Sequence, residues 1–147
     1  MKNVLISIKG TQTVDDQQDV IELTTVGKMG EKNGHVFITY SEEQTGLPAV
    51  ITTLKIVGED SVTVQRSGGN NSRLMVEKGQ RNLSHYETGY GALTIGVFGE
   101  KIINKINGDG GQLTLCYTID ANSSLLSRNQ LEISIKETGD NDVKTCS

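Results

Sequence analysis

Tryptophan is absent from this 147-residue chain, proline occurs once, and only four tyrosines and two phenylalanines are present. A core must therefore be built chiefly from valine, isoleucine and leucine. Cysteine occurs twice, as Cys116 within an apolar alternation and Cys146 next to the C-terminal residue. That is no disulfide framework, and both are expected as free thiols. The opening apolar run breaks at Lys9, short of what a secretory signal needs, and no run approaches a membrane-spanning helix. The chain is expected in the cytoplasm. Positive charge is also lacking: Lys and Arg number 14 against 18 Asp and Glu, a net charge of −4. A nucleic-acid partner, which calls for a cationic stripe, is not expected. Finally, no segment carries an apolar stripe of helical period. Without helices to serve as crossovers, a parallel α/β sheet is excluded.

What the chain does have is period two, the repeat of strands with one buried face. Val4, Ile6 and Ile8 alternate, then Ile21 and Leu23. Asn33-Gly34 forms a tight hairpin turn leading to Val36, Ile38 and Tyr40. Val50, Thr52, Leu54 and Ile56 share a face beyond Pro48. Val62 and Val64 follow the Gly58-Glu59-Asp60 turn, and Leu74 and Val76 follow Gly68–Asn71. Residues 79–88 read as a polar strand whose inward face the pattern leaves unassigned. Leu93, Ile95 and Val97 alternate next. After the Asn107–Gly111 turn come Leu113, Leu115, Tyr117 and Ile119, then Leu131, Ile133 and Ile135. The fold expected is all-β: a closed antiparallel up-and-down β-barrel of about 8–10 strands, favoured over a sandwich because closure removes exposed edges. Residues 1–137 form the single barrel domain, and residues 138–147 a polar, disordered tail.

Two charges fall in phase with apolar neighbours. Arg66 continues the Val62, Val64 face, and Glu42 continues the face of Val36, Ile38 and Tyr40. Inward-facing charges need partners. Each can lie near a barrel mouth and reach the other or water; alternatively Arg66 anchors an anionic ligand, with Tyr40, Tyr86 and Tyr117 offering hydroxyls to the same cavity. These five residues, Arg66, Glu42, Tyr40, Tyr86 and Tyr117, are the candidate ligand-binding set, with core packing as the competing role of the tyrosines. His35 is expected exposed after its turn, and a Cys116–His85 pair is set aside because Cys116 alternates out of phase with the inward residues. No catalytic residue, metal site or cofactor is expected: no His/Cys/Asp spacing suits zinc, and the glycines complete no phosphate-binding motif.

Tyr40-Ser41-Glu42-Glu43, Thr53-Leu54-Lys55-Ile56, Arg66-Ser67-Gly68, Tyr86-Glu87-Thr88, Tyr90-Gly91 and Gly111-Gln112-Leu113-Thr114-Leu115-Cys116-Tyr117, taken in order, resemble the YwiB-like family of small uncharacterised bacterial proteins, found largely among Firmicutes. The likeness runs from the first strand to about Glu137. It implies a calycin-type, lipocalin-like barrel and no established activity. Thr88-Gly89-Tyr90-Gly91 stands where the family has Thr-Pro-Tyr-Gly, and the Gly-x-Trp of true lipocalins is missing. Lipocalin transport is therefore not carried over with the shape. The functions left are a non-enzymatic module holding a small ligand in the barrel, a homo-oligomer or protein-interaction domain using an exposed barrel face, and, last, an enzyme.

Overall fold

The computed structural model describes residues 2–42, 49–68, 71–88, 91–107, 109–122 and 124–138. They form β1 (Lys2–Val14), β2 (Gln17–Lys32), β3 (His35–Glu42), β4 (Val50–Val57), β5 (Ser61–Ser67), β6 (Ser72–Glu77), β7 (Arg81–Thr88), β8 (Gly91–Asn107), β9 (Gly110–Ala121) and β10 (Ser124–Glu137). Each strand pairs antiparallel with the next, and β10 returns to β1, setting Ile6 opposite Ile135 and Ile8 opposite Ile133. The result is a closed up-and-down barrel of ten strands, as the alternation predicts. Among the described residues there is no helix, and so none long and apolar enough to cross a membrane.

Local chemistry sets the hairpins. Asp15 (φ 48°) with Asp16 (φ 66°), and Asn33 (φ 55°) with Gly34 (φ 79°), make two-residue turns. Positive φ at both central positions gives the twist that two-residue hairpins require. The inward faces then converge: Val4, Ile6, Ile38, Val62, Val76, Val97, Leu113 and Leu115 are wholly shielded from solvent, and Leu54, Ile56, Met29 and Ile133 very nearly so. These aliphatic side chains form one core cluster inside the barrel.

The structure amends the sequence reading at several points. Ile21 is 71% exposed rather than inward, because β1 and β2 run on together beyond Gly27, where β3 stops covering β2. The polar strand is β7, and of its described side chains the buried one is Ser84; a hydroxyl facing the core left no apolar alternation to read. β8 extends to Asn107 because its register shifts between Gly99 and Lys101. That bulge puts Val97 and Ile102, an odd and an even position, on the same inner face. His35 is half-buried rather than exposed. Thr138, assigned to the tail, is tied to the barrel by its backbone N–H and its hydroxyl, both donating to the Asn3 carbonyl at 3.2 Å. Residues 139–147, including Cys146, lie outside the described residues.

One clamp crosses the outer surface. From β7, Arg81 reaches over β8 to Asp120 on β9, donating through Nε at 2.9 Å and Nη2 at 2.6 Å. It passes at Gly96, where any Cβ would meet the guanidinium. By contrast, among the described residues β6 and β7 share a single ladder pair, Ser72 with Tyr86. The barrel is thinnest there.

Candidate functional site

The pairing register draws the candidate residues into one row. Tyr40 on β3 stands opposite Thr52 on β4, Thr52 opposite Arg66 on β5, Arg66 opposite Ser72 on β6, and Ser72 opposite Tyr86 on β7. The row crosses the strand ends at one mouth of the barrel. Two residues beyond Tyr40, Glu42 reaches over β4, and Arg66 Nη2 donates to its Oε2 at 2.7 Å. The sequence paired these two charges, and the structure joins them. They meet at the rim: the Arg66 side chain is 45% exposed and that of Glu42 28%.

An ion pair this wet adds little to stability. Arg66→Met is therefore expected to lower the unfolding free energy by no more than about 1 kcal/mol, and adding Glu42→Gln should change little more. Urea melts of the four proteins check this, since a loss of several kcal/mol recovered in the double variant would mean a buried pair.

Just inside the pair, Tyr40 is half-buried and Thr52 is 2% exposed. Burial pushes the Tyr40 phenol above its ordinary value, and the Glu42 carboxylate adds to the rise. Thr52 and the Arg66 guanidinium pull the other way. Tyr40 is thus an O–H donor throughout the neutral range. The Thr52 hydroxyl lies near enough to influence that phenol, yet Thr52 Oγ1 makes no hydrogen bond of regular geometry. Among the described residues it is the one buried side-chain oxygen or nitrogen left so. The Thr52 hydroxyl thus meets the Tyr40 phenol in a hydrogen bond of poor geometry, and it is weakly satisfied rather than orphaned.

Outside the row, a shallow groove of about 300 Å³ opens on the same rim, lined by Gln65, Arg66, Ser67, Asn71, Ser72, Arg73 and His85. Two guanidinium groups and an imidazole border it. The turn forming its edge is held down where Gly68 packs on Ala49, since a Cβ there would strike the Ala49 carbonyl. Gly68 N–H also donates to Asn71 Oδ1 at 3.3 Å. Sequence reasoning missed Ser72 and Arg73, which open a short strand directly behind a turn. It placed His85 without a role.

Tyr117 belongs elsewhere. It sits on β9, is 7% exposed, and has its phenol pushed up to about 12 by burial. That is a core tyrosine. The side chain of Tyr86 lies outside the described residues. Cys116 is a half-buried free thiol. Burial raises its pKa, Glu100 and Glu132 add to the rise, and Lys101 opposes it. It stands on β9 and the exposed His85 on β7, with β8 between them. Nothing there activates a nucleophile.

A family model described as "Domain of unknown function (DUF1934)" matches residues 6–133. The chain is 27% identical over 114 residues to the "Uncharacterized beta-barrel protein YwiB" of Bacillus subtilis (strain 168), covering 78% of this chain and 79% of that protein. The crystal structure of the ywiB protein from Bacillus subtilis superimposes with a TM-score of 0.81 at 24% identity, covering 92% of each chain. The superposition bears on fold alone.

Proposed function

The chain belongs to the DUF1934 family, and from that premise we propose that it is a non-enzymatic binding module that holds a small anionic ligand at the mouth of its barrel. One observation carries the reading: Arg66, Arg73 and His85 line one groove at the rim of the barrel. Guanidinium groups keep their charge at any physiological pH and present a fork suited to carboxylate or phosphate oxygens. Arg66 is shared with Glu42, whereas Arg73 has no protein partner among the described residues. In this reading Arg73 supplies the main charge and Arg66 the second. The lipocalin likeness extends to the shape of the barrel, while the ligand sits on its rim, at the edge of the apolar core. The setting is the cytoplasm, where small phosphorylated and carboxylated metabolites abound.

Thermal unfolding in inorganic phosphate, pyrophosphate or citrate at fixed ionic strength tests this. At about 100 times its Kd a ligand adds about 2.7 kcal/mol, a rise of roughly 5–10 °C for a domain this size. Arg73→Gln should abolish the rise and leave the Tm of the empty protein in place. Lys105→Gln, on an exposed stretch of β8, should keep it. No rise with any of the three anions, or an equal rise in Arg73→Gln, overturns the reading.

A further inference from the structure

We propose that the open edge of β2, Gln17–Val26, is a docking site at which an extended, basic segment of a partner protein adds to the sheet as a further strand. This stands apart from the rim groove and holds whether or not that groove binds an anion.

β1 and β2 are paired without interruption from Lys2 opposite Met29 to Val14 opposite Gln17. Among the described residues β3 covers β2 only over Gly27–Lys32. Among the described residues, 17–26 are therefore paired on one side alone. Such an edge is a template for another strand. Proteins that keep an edge single guard it with charged side chains, lysine above all, with proline or with a bulge. This stretch has no Lys and no Pro, its register with β1 shows no bulge, and its charges are the acidic Asp19 and Glu22.

The side chains state what would fit. Val20 is 52% exposed, Ile21 71% and Val26 62%, so both faces of the edge present apolar surface. Val14 beside the turn, and Leu125 and Leu126 on β10, are also exposed. The charges on the edge are Asp19 and Glu22, with Asp15 and Asp16 in the adjoining turn. Glu22 stands opposite Lys9 on β1 without an ion pair between them, and among the described residues no cation forms an ion pair with the other three. Directly opposed residues on neighbouring strands set the pairing energy, and like charges opposed are unfavourable. A second copy in the antiparallel register that matches Val20 with Ile21 would set Asp19 against Glu22 on both sides of that match. The chemistry instead asks for a basic residue opposite Asp19, two β-branched residues opposite Val20 and Ile21, and a basic residue opposite Glu22. The partner is read as a Lys-apolar-apolar-Lys strand.

Fluorescence anisotropy of labelled synthetic peptides against the intact chain tests this. A threonine-rich peptide centred on Lys-Val-Ile-Lys should bind, and its Glu-Val-Ile-Glu counterpart should bind at least roughly tenfold more weakly. A Val-Lys-Lys-Ile rearrangement of equal charge should also lose about tenfold, because its lysines no longer face the acids. Asp19→Lys with Glu22→Lys, both exposed positions, should reverse the preference between the first two peptides. The proposal is overturned if none of the peptides binds, or if the rearranged peptide binds as well as the first, which would leave only charge attraction. A dimer of the chain alone that Ile21→Lys dissociates would assign the edge to a second copy and overturn it equally.

Discussion

Leu115→Ala is expected to lower the unfolding free energy by about 3–4 kcal/mol and the Tm by roughly 10 °C. Leu115 is fully buried on β9, opposite Leu131 on β10 and Ile102 on β8. Truncation removes the transfer free energy of the lost carbons and leaves a void among neighbours held by ladders on both sides, and the two effects add. Leu126→Ala, at a position 47% exposed, should change stability by no more than about 0.5 kcal/mol. Urea melts of the two variants give the comparison. A loss near 1 kcal/mol at Leu115 would mean that its side chain borders open space, and a ligand chamber inside the barrel would then replace the rim groove as the binding site. The same experiment thus bears on packing and on function.

How much of this was legible depended on whether residue type followed the pleat. Where inward positions are Val, Ile or Leu, as in Val4-x-Ile6 or Leu113-x-Leu115, the alternation fixed both the strand and its buried face. Arg66 and Glu42 were found by the same logic, since a charge in phase with valines is conspicuous. Three things escaped it. Ser84 faces the core from β7 without looking like a core residue, so that strand's phase stayed open. The bulge near Gly99 reverses the parity of β8, which a strict period of two fails to follow. Ile21 keeps the alternation although it is largely exposed, because burial depends on where β3 ends rather than on β2 itself. The groove escaped for a related reason. Arg73 and His85 come together only through the register of β6 and β7, and no local spacing records that.

Gly111→Ala is expected to cost about 3 kcal/mol, although it adds one methyl group. Gly111 has φ 132°, in the region that L side chains rarely adopt. A Cβ there would approach the Lys105 carbonyl oxygen and carbonyl carbon, both backbone atoms of the neighbouring β8. The conformational part costs about 1–2 kcal/mol, and the overlap adds about 1–3 because no flexible side chain can move aside. Gly34→Ala isolates the first part: φ is 79°, and nothing lies within 4 Å of the added carbon. It should cost only about 1 kcal/mol. Urea midpoints at unchanged m-value measure both variants. Equal losses would mean that the β8–β9 ladder relaxes around the methyl group and that backbone conformation alone requires glycine at position 111. Strand direction sets Gly111 at the opposite end of the barrel from the Arg66 rim. The destabilised Gly111→Ala protein should therefore keep the anion-induced rise in Tm that Arg73→Gln loses, which separates a weakened barrel from a lost site.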